Sequence, residues 1–203
     1  EYYFGFNQFL TAGIFSKEIL NPIEETVNES GDLIITSYQN VPLAEINGFE
    51  IEYEQVFEAI MDSPNDLLVK FNYTETESEV IVNPGDTYIN SIGTVVDAQS
   101  LLANGRDTRL QGQSDTIANF QIGLDNLQNQ TQATLIVNYV SDRVRARGID
   151  VLPDIIEEPP LLVDFAFSKI YSYPEFELKL SLELRNLLDE EYYASMRNIA
   201  IYD

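Results

Sequence analysis

The chain has 203 residues, with 34 acidic against 11 basic side chains and a formal charge of −23. That balance excludes nucleic acid as a partner, because phosphate binding needs a basic surface, and it excludes docking on an anionic leaflet through a basic patch. Cysteine and histidine are both absent, so no disulfide forms and Cys/His metal sites are ruled out.

No apolar run approaches the roughly 18 residues that a helical membrane span needs. A helical membrane protein is therefore excluded. A membrane barrel is not, because alternating strands average out in any hydropathy window. The mean hydropathy of −0.14 is compatible with one.

Taken in chain order, the sequence reads as seven long strands. The first, Phe9–Thr26, is mixed in character up to Leu20. In the second, Leu33–Phe57, the residues Phe49, Ile51 and Tyr53 alternate with Glu50, Glu52 and Glu54. Leu67–Val82 sets Leu67, Val69, Phe71 and Tyr73 against Leu68, Lys70, Asn72 and Thr74. Ile117–Leu127 continues a run in which Ala118, Phe120, Ile122 and Leu124 alternate with Asn119, Gln121, Gly123 and Asp125. Ala133–Arg147 is less regular: Leu135, Val137 and Tyr139 share a face, but Ile136 and Val140 sit on the other. Pro160–Ser172 places Leu161, Val163, Phe165 and Phe167 opposite Leu162, Asp164, Ala166 and Ser168. The clearest case is Phe176–Tyr193, where Phe176, Leu178, Leu180, Leu182 and Leu184 alternate with Glu177, Lys179, Ser181, Glu183 and Arg185. A helix would scatter these residues around its cylinder, so period two means strand.

The connections alternate in length. Gly5–Gln8, Asn126–Gln132 and Ser172–Glu175 are short, Val27–Asp32, Pro84–Thr116 and Gly148–Pro159 are longer, and Glu58–Asp66 is intermediate. Short turns at one end and long loops at the other mark a transmembrane barrel, periplasmic and extracellular respectively. Pro84–Thr116 is the best candidate for a functional loop.

Alternation alone fits a soluble antiparallel sandwich equally well, and a small closed barrel of about eight strands is a third reading. Three features favour a lipid-facing wall. The strands exceed the roughly 5–6 residues usual in soluble proteins. Their apolar faces are uniform along the middle. Aromatic residues collect near strand ends, at Tyr2, Tyr3, Phe4, Tyr53, Phe57, Tyr73, Tyr139, Tyr171, Tyr173, Tyr192 and Tyr193, where interfacial girdles would lie. On this reading Lys70, Asp164, Lys179, Glu183 and Arg185 face the lumen. Leu180→Arg, on the lipid face, should then cost about 2–4 kcal/mol near the midplane, and Glu183→Ala much less.

Several stretches occur in a familiar order. They are Asn21-Pro22-Ile23-Glu24, Gly48-Phe49-Glu50-Ile51-Glu52, Asn72-Tyr73-Thr74, Gly112-Gln113-Ser114 with Ala118-Asn119, Asn138-Tyr139 with Asp142-Arg143, Leu152-Pro153-Asp154 with Glu158-Pro159, and Asn186-Leu187-Leu188-Asp189-Glu190-Glu191-Tyr192-Tyr193. The series resembles the carboxy-terminal part of the barrel of TonB-dependent outer-membrane receptors, over nearly the whole chain. The resemblance implies a long antiparallel meander within a transmembrane barrel of about 22 strands, set in the outer membrane of a Gram-negative bacterium. It implies outer-membrane lipid and lipopolysaccharide around the wall, an own plug domain in the lumen, and the TonB complex as energy source. It also implies a small scarce solute as ligand, such as a ferric siderophore, cobalamin or an oligosaccharide. The plug, the TonB box and the closing strand after Ile201-Tyr202-Asp203 do not occur in residues 1–203, so the chain reads as a single segment of the barrel domain.

Catalysis is not expected. The common bases and thiol nucleophiles are missing, and no Gly-x-Ser-x-Gly elbow or phosphate-cradling loop occurs. Arg143, Arg145 and Arg147 follow Asp142 and share one face of a regular strand. They pair with nearby carboxylates or form an anion-recognition patch, joined at the mouth by Arg106 and Arg109. Tyr88, with Tyr192 and Tyr193, offers rings for stacking on a sugar or an aromatic ligand. Glu24-Glu25, Glu157-Glu158 and Asp189-Glu190-Glu191 are solvated loop acidity or, alternatively, oxygen ligands for calcium.

Overall fold

The computed structural model describes residues 1–5, 8–58, 64–90, 93–102, 106–149 and 152–196. The closing stretch Ile201–Asp203, on which the expectation of a missing last strand falls, lies outside them. In chain order the strands are β1 (Tyr2–Gly5), β2 (Gln8–Leu20), β3 (Ile23–Ser30), β4 (Leu33–Asn40), β5 (Leu43–Phe57), β6 (Asn65–Ile81), β7 (Thr87–Ile89), β8 (Val95–Asp97), β9 (Thr116–Asn126), β10 (Thr131–Val140), β11 (Arg143–Gly148), β12 (Ile155–Glu158), β13 (Leu162–Ser172), β14 (Glu177–Leu184) and β15 (Tyr193–Met196). A 3-10 turn covers Ala98–Leu102.

The protein is all-β. Eight strands form one sheet in the order β1-β2-β5-β6-β9-β10-β13-β14, and every neighbour in it is antiparallel. The connections at one end are short. At the other end the chain makes long excursions that build their own structure. They form a five-stranded sheet, β15-β12-β11-β3-β4, and a two-stranded hairpin, β7-β8. The long stretch Pro84–Thr116 is thus partly ordered into strands and a turn rather than being irregular throughout.

Three of the long strands expected from sequence are broken where the chain leaves the meander. Phe9–Thr26 divides at Asn21-Pro22 and Leu33–Phe57 at Val41-Pro42. Proline has no N–H for a ladder bond, and Asn21 takes a positive φ of 52°. The two breaks hold each other: Asn21 N–H donates to Pro42 O at 3.1 Å and Val41 N–H to Pro22 O at 3.0 Å. Beyond them β3 and β4 form a hairpin closed by Gly31, whose φ of 64° suits a two-residue loop. Ala133–Arg147 breaks at Ser141-Asp142. There Ser141 N–H donates to Thr116 O at 2.9 Å and β11 turns away to run parallel to β3.

The expected strand Phe176–Tyr193 also stops short: β14 ends at Leu184, and the Asn186–Asp189 turn that follows is tied to β13. Asn186 N–H donates to Asp164 Oδ1 at 2.8 Å, Leu187 N–H to Val163 O at 2.8 Å, and Asp189 N–H to Asn186 O at 2.9 Å. The positive φ at Asn186 and Asp189, 50° and 52°, is of the kind these short polar side chains tolerate.

The core sits mainly in the excursions and reaches the meander only at the long-connection ends of β5 and β6, among the described residues. Val41, Ala44, Val80, Tyr88, Ala98 and Leu101 form one buried cluster, in which only Ala44 and Val80 come from meander strands, near the long-connection ends of β5 and β6. Val27, Val144, Ala146 and Ile156 are buried in the second sheet. Gly48 marks a tight approach in β5. A Cβ there would lie 2.6 Å from the Phe15 ring and closer still to the Glu75 carbonyl. Gly48→Ala should therefore destabilise the protein by about 1–3 kcal/mol through overpacking, read as a lowered thermal midpoint of the intact protein.

Candidate functional site

The register of the meander sorts its side chains into two faces. Directly opposed residues lie on the same side of a sheet. One unbroken row therefore runs Tyr2, Leu10, Tyr53, Phe71, Phe120, Val137, Val163 across seven strands. On the same face the next rows hold Val69, Ile122, Leu135, Phe165 and Leu184, then Leu67, Leu124, Ala133, Phe167 and Leu182. The opposite face is mainly polar, with Thr11, Glu52, Asn72, Asn119 and Asn138 in one row and Glu54, Lys70, Gln121 and Asp164 in another that Phe9 begins and Ile136 interrupts. Lys70 and Glu54 pair there at 2.9 Å. Four of the five sequence-assigned lumen residues, Lys70, Asp164, Lys179 and Glu183, fall on this face, while Arg185 lies just beyond the end of β14, paired with Glu183 at 3.1 Å.

The apolar face has no cover. No residue described on it is buried, and Ile14 is 91% exposed. Aromatic rings flank it at both ends, with Phe49, Tyr73 and Tyr139 towards the long connections and Phe57, Tyr171, Tyr173 and Phe176 towards the short ones. Lys169 lies at the short-connection margin of this face, its ammonium 5.1 Å from the centre of the Tyr171 ring. The strands β9, β10 and β13 have 11, 10 and 11 residues, the length of a tilted strand that crosses hydrocarbon. The row through Leu10 lies beside the β1–β2 connection, yet it meets β13 at Val163, at the far end from that strand's short turn. Such stagger accompanies strand tilt.

At the long-connection end the arginines are largely tied to acids. Arg147 is fully buried and forks onto Glu24, Nε to Oε2 at 2.5 Å and Nη2 to Oε1 at 2.9 Å, and also donates to the carbonyls of Asp107 at 2.6 Å and Arg109 at 3.0 Å. Arg109 gathers Asp107, Asp115 and Asp142 at 2.6, 3.1 and 3.2 Å. Burial works to lower the Arg109 pKa, but the bonds and charge of Asp107, then the charges of Asp142 and Asp115, hold it above its ordinary value. Arg143 forks onto Glu157 at 3.1 and 3.2 Å. Arg106 is buried and donates to the carbonyls of Ser100 and Leu152 at 3.0 and 3.3 Å. Burial pushes the Asp154 carboxyl above its ordinary value, with Arg147 pulling the other way. Asp154 accepts the N–H groups of Gly148 at 2.9 Å and Asp107 at 3.2 Å.

The three arginines of β11 do not share a face. The register slips between Val144 and Ala146, and a bulge of that kind reverses the alternation beyond it. Arg143 lies half-exposed, Arg145 exposed and Arg147 buried. Tyr88 is buried in the core cluster, so its ring packs rather than stacks on a ligand, whereas Tyr192 and Tyr193 are exposed. Glu24 and Glu157 are occupied by arginine, and among the described residues no group of three or more acidic side chains is placed to hold a metal ion. The partners Glu24, Asp107 and Asp115 were not legible as such, because nothing local marks them. Compared with known proteins, the chain matches no family model, no curated protein and no solved structure.

Proposed function

We propose that this chain is part of the wall of an outer-membrane β-barrel, and that the barrel is a TonB-dependent transporter importing a scarce solute such as a ferric siderophore or an oligosaccharide. The first half is carried by the apolar face that crosses the meander without a cover. Lipid is the natural cover for a face that is apolar along its middle, rimmed by aromatic rings and backed by a polar face. Exposed area supports it: a compact monomer of 23.1 kDa exposes about 9,700 Å², whereas this chain exposes 12984 Å². The second half rests on the ordered resemblance of the sequence. In this reading the chain does no chemistry. It supplies wall and outward cap, while a plug domain and the TonB complex supply gate and energy. The soluble sandwich that binds a glycan or protein needs a second layer over the apolar face, and the five-stranded sheet grows instead from the long connections.

Single cysteines test the wall, and the chain holds none of its own. In membranes carrying the intact protein, Ile122→Cys and Phe165→Cys should resist a water-soluble maleimide, and a fluorophore placed there should be quenched by brominated lipid. Gln121→Cys and Ser168→Cys should react through the lumen. Equal reactivity of the two sets would sink the wall. Solute uptake that persists in cells lacking TonB would leave the wall standing and remove the energised importer.

A further inference from the structure

Between β3 and β11 the cap opens into a groove of about 500 Å³, lined in part by Ile23, Glu25, Tyr38, Arg143 and Arg145. Its floor is fixed by one side chain. The Gln111 amide accepts Glu25 N–H at 2.5 Å and donates to the carbonyls of Glu25 at 3.1 Å and Arg145 at 2.5 Å. Gly112 N–H adds a bond to Val144 O at 2.9 Å. Gln111 thus stands in for a missing strand and holds the backbones of Glu25 and Arg145 on either side of itself.

Two opposite charges remain unpaired on this frame. The Arg143 fork is taken up by Glu157. Arg145 sits exposed at the bulge and meets no carboxylate at ion-pair distance, and Glu25 meets no cation, among the described residues. Beside them stand Tyr38, directly across from Glu25 on β4 and 68% exposed, and Ile23, 69% exposed. A simple anion would meet the Glu25 charge here, and a simple cation the Arg145 charge. A molecule carrying both charges meets neither penalty.

We propose that this groove binds an amino-acid-like zwitterion with an apolar side chain. Arg145 takes the carboxylate through its planar fork, Glu25 takes the ammonium, and Tyr38 with Ile23 covers the side chain. The assignment of the groove to the solute-facing mouth rests on the transporter reading, but binding itself does not.

Equilibrium dialysis of the intact protein in detergent tests it with labelled phenylalanine, phenylacetate and phenethylamine. Phenylalanine should bind saturably, and each half-molecule about tenfold more weakly or worse, since each forgoes one charge-assisted contact. Glu25→Gln and Arg145→Gln should each weaken phenylalanine by a similar factor, with Arg145→Lys in between. Tyr38→Ala should narrow the gap between phenylalanine and glycine. The thermal midpoint should stay near that of the unaltered protein, because Arg145 is exposed and Glu25 keeps its backbone bonds to Gln111. If a variant fails to fold, the ranking of the three probes on the unaltered protein decides alone. Absence of saturable binding, equal binding of the three probes, or indifference to both charge variants would overturn the proposal. Cysteine labelling of the wall reads independently, so either idea can fail without the other.

Discussion

Replacing Arg147 with alanine is expected to destabilise the cap built from the long connections by about 3–5 kcal/mol, the cost of breaking a buried ion pair by removing one partner. Arg147 and Glu24 are both fully buried. The parallel pairing of Arg147 with Thr26 sets the guanidinium beside Glu24, on the same face of β3. Without the arginine, the Glu24 carboxylate keeps, among the described residues, only the Gln111 N–H at 3.2 Å, and the carbonyls of Asp107 and Arg109 lose this donor. Lysine should rescue in part, because a point charge cannot fork. The double change Glu24→Leu with Arg147→Met should cost less than either single change, since no charge is then stranded. The pair joins β3, β11 and the Asp107–Arg109 segment, none of which belongs to the meander. Protease cleavage in 82–115 and 141–161 should therefore accelerate about 10²-fold or more while the meander stays intact, if cutting follows cap opening. An unchanged rate in Arg147→Ala would show that the cap is held elsewhere.

The difference between meander and cap also explains what the sequence discloses. Strands β9, β13 and β14 were legible to within a few residues at their short-connection ends, because each is a local period-two pattern with one apolar side. Leu178, Leu180, Leu182 and Leu184 need no distant partner to declare a strand. The breaks were harder. The residues on either side of Asn21-Pro22 and Val41-Pro42 are mixed in character, so no lapse in alternation marks either division and the expected strands ran through them, although two prolines were there to mark the breaks. The cap was not legible. Glu24 and Arg147 lie 123 positions apart, and no local feature selects one for the other. The bulge at Arg145 adds one residue to one strand, which no count of alternating side chains anticipates. It divides an expected arginine face into a half-exposed, an exposed and a buried member. Gln111 was invisible as the frame of the groove for the same reason, since its role is defined by two backbones far away in sequence.

If the apolar face is the lipid-facing wall proposed above, Leu135→Arg should cost about 2–4 kcal/mol and impair insertion, as a charge near the bilayer midplane does. Register refines the choice of site. Leu180 shares the apolar face but stands directly across from Lys169, close to the short-connection margin. A second charge there lies near the interface, where the cost falls to about 0–1 kcal/mol, and so Leu180→Arg should be milder than its position in an aliphatic run suggests. Leu135 lies midway along β10 between Thr131 and Tyr139, with Ile122 and Phe165 directly opposite on its two neighbours. No described polar group of that face adjoins it to receive a guanidinium. The matched control is Thr134→Arg, on the other face, where Gly123 and Ala166 leave room on either side. Folding of the purified variants into vesicles, read as reversible denaturant unfolding, should give a large loss for Leu135→Arg, a small one for Leu180→Arg and almost none for Thr134→Arg. A sandwich buried in its own core would instead punish Leu135→Arg and Leu180→Arg alike, because neither position would then have an interface within reach.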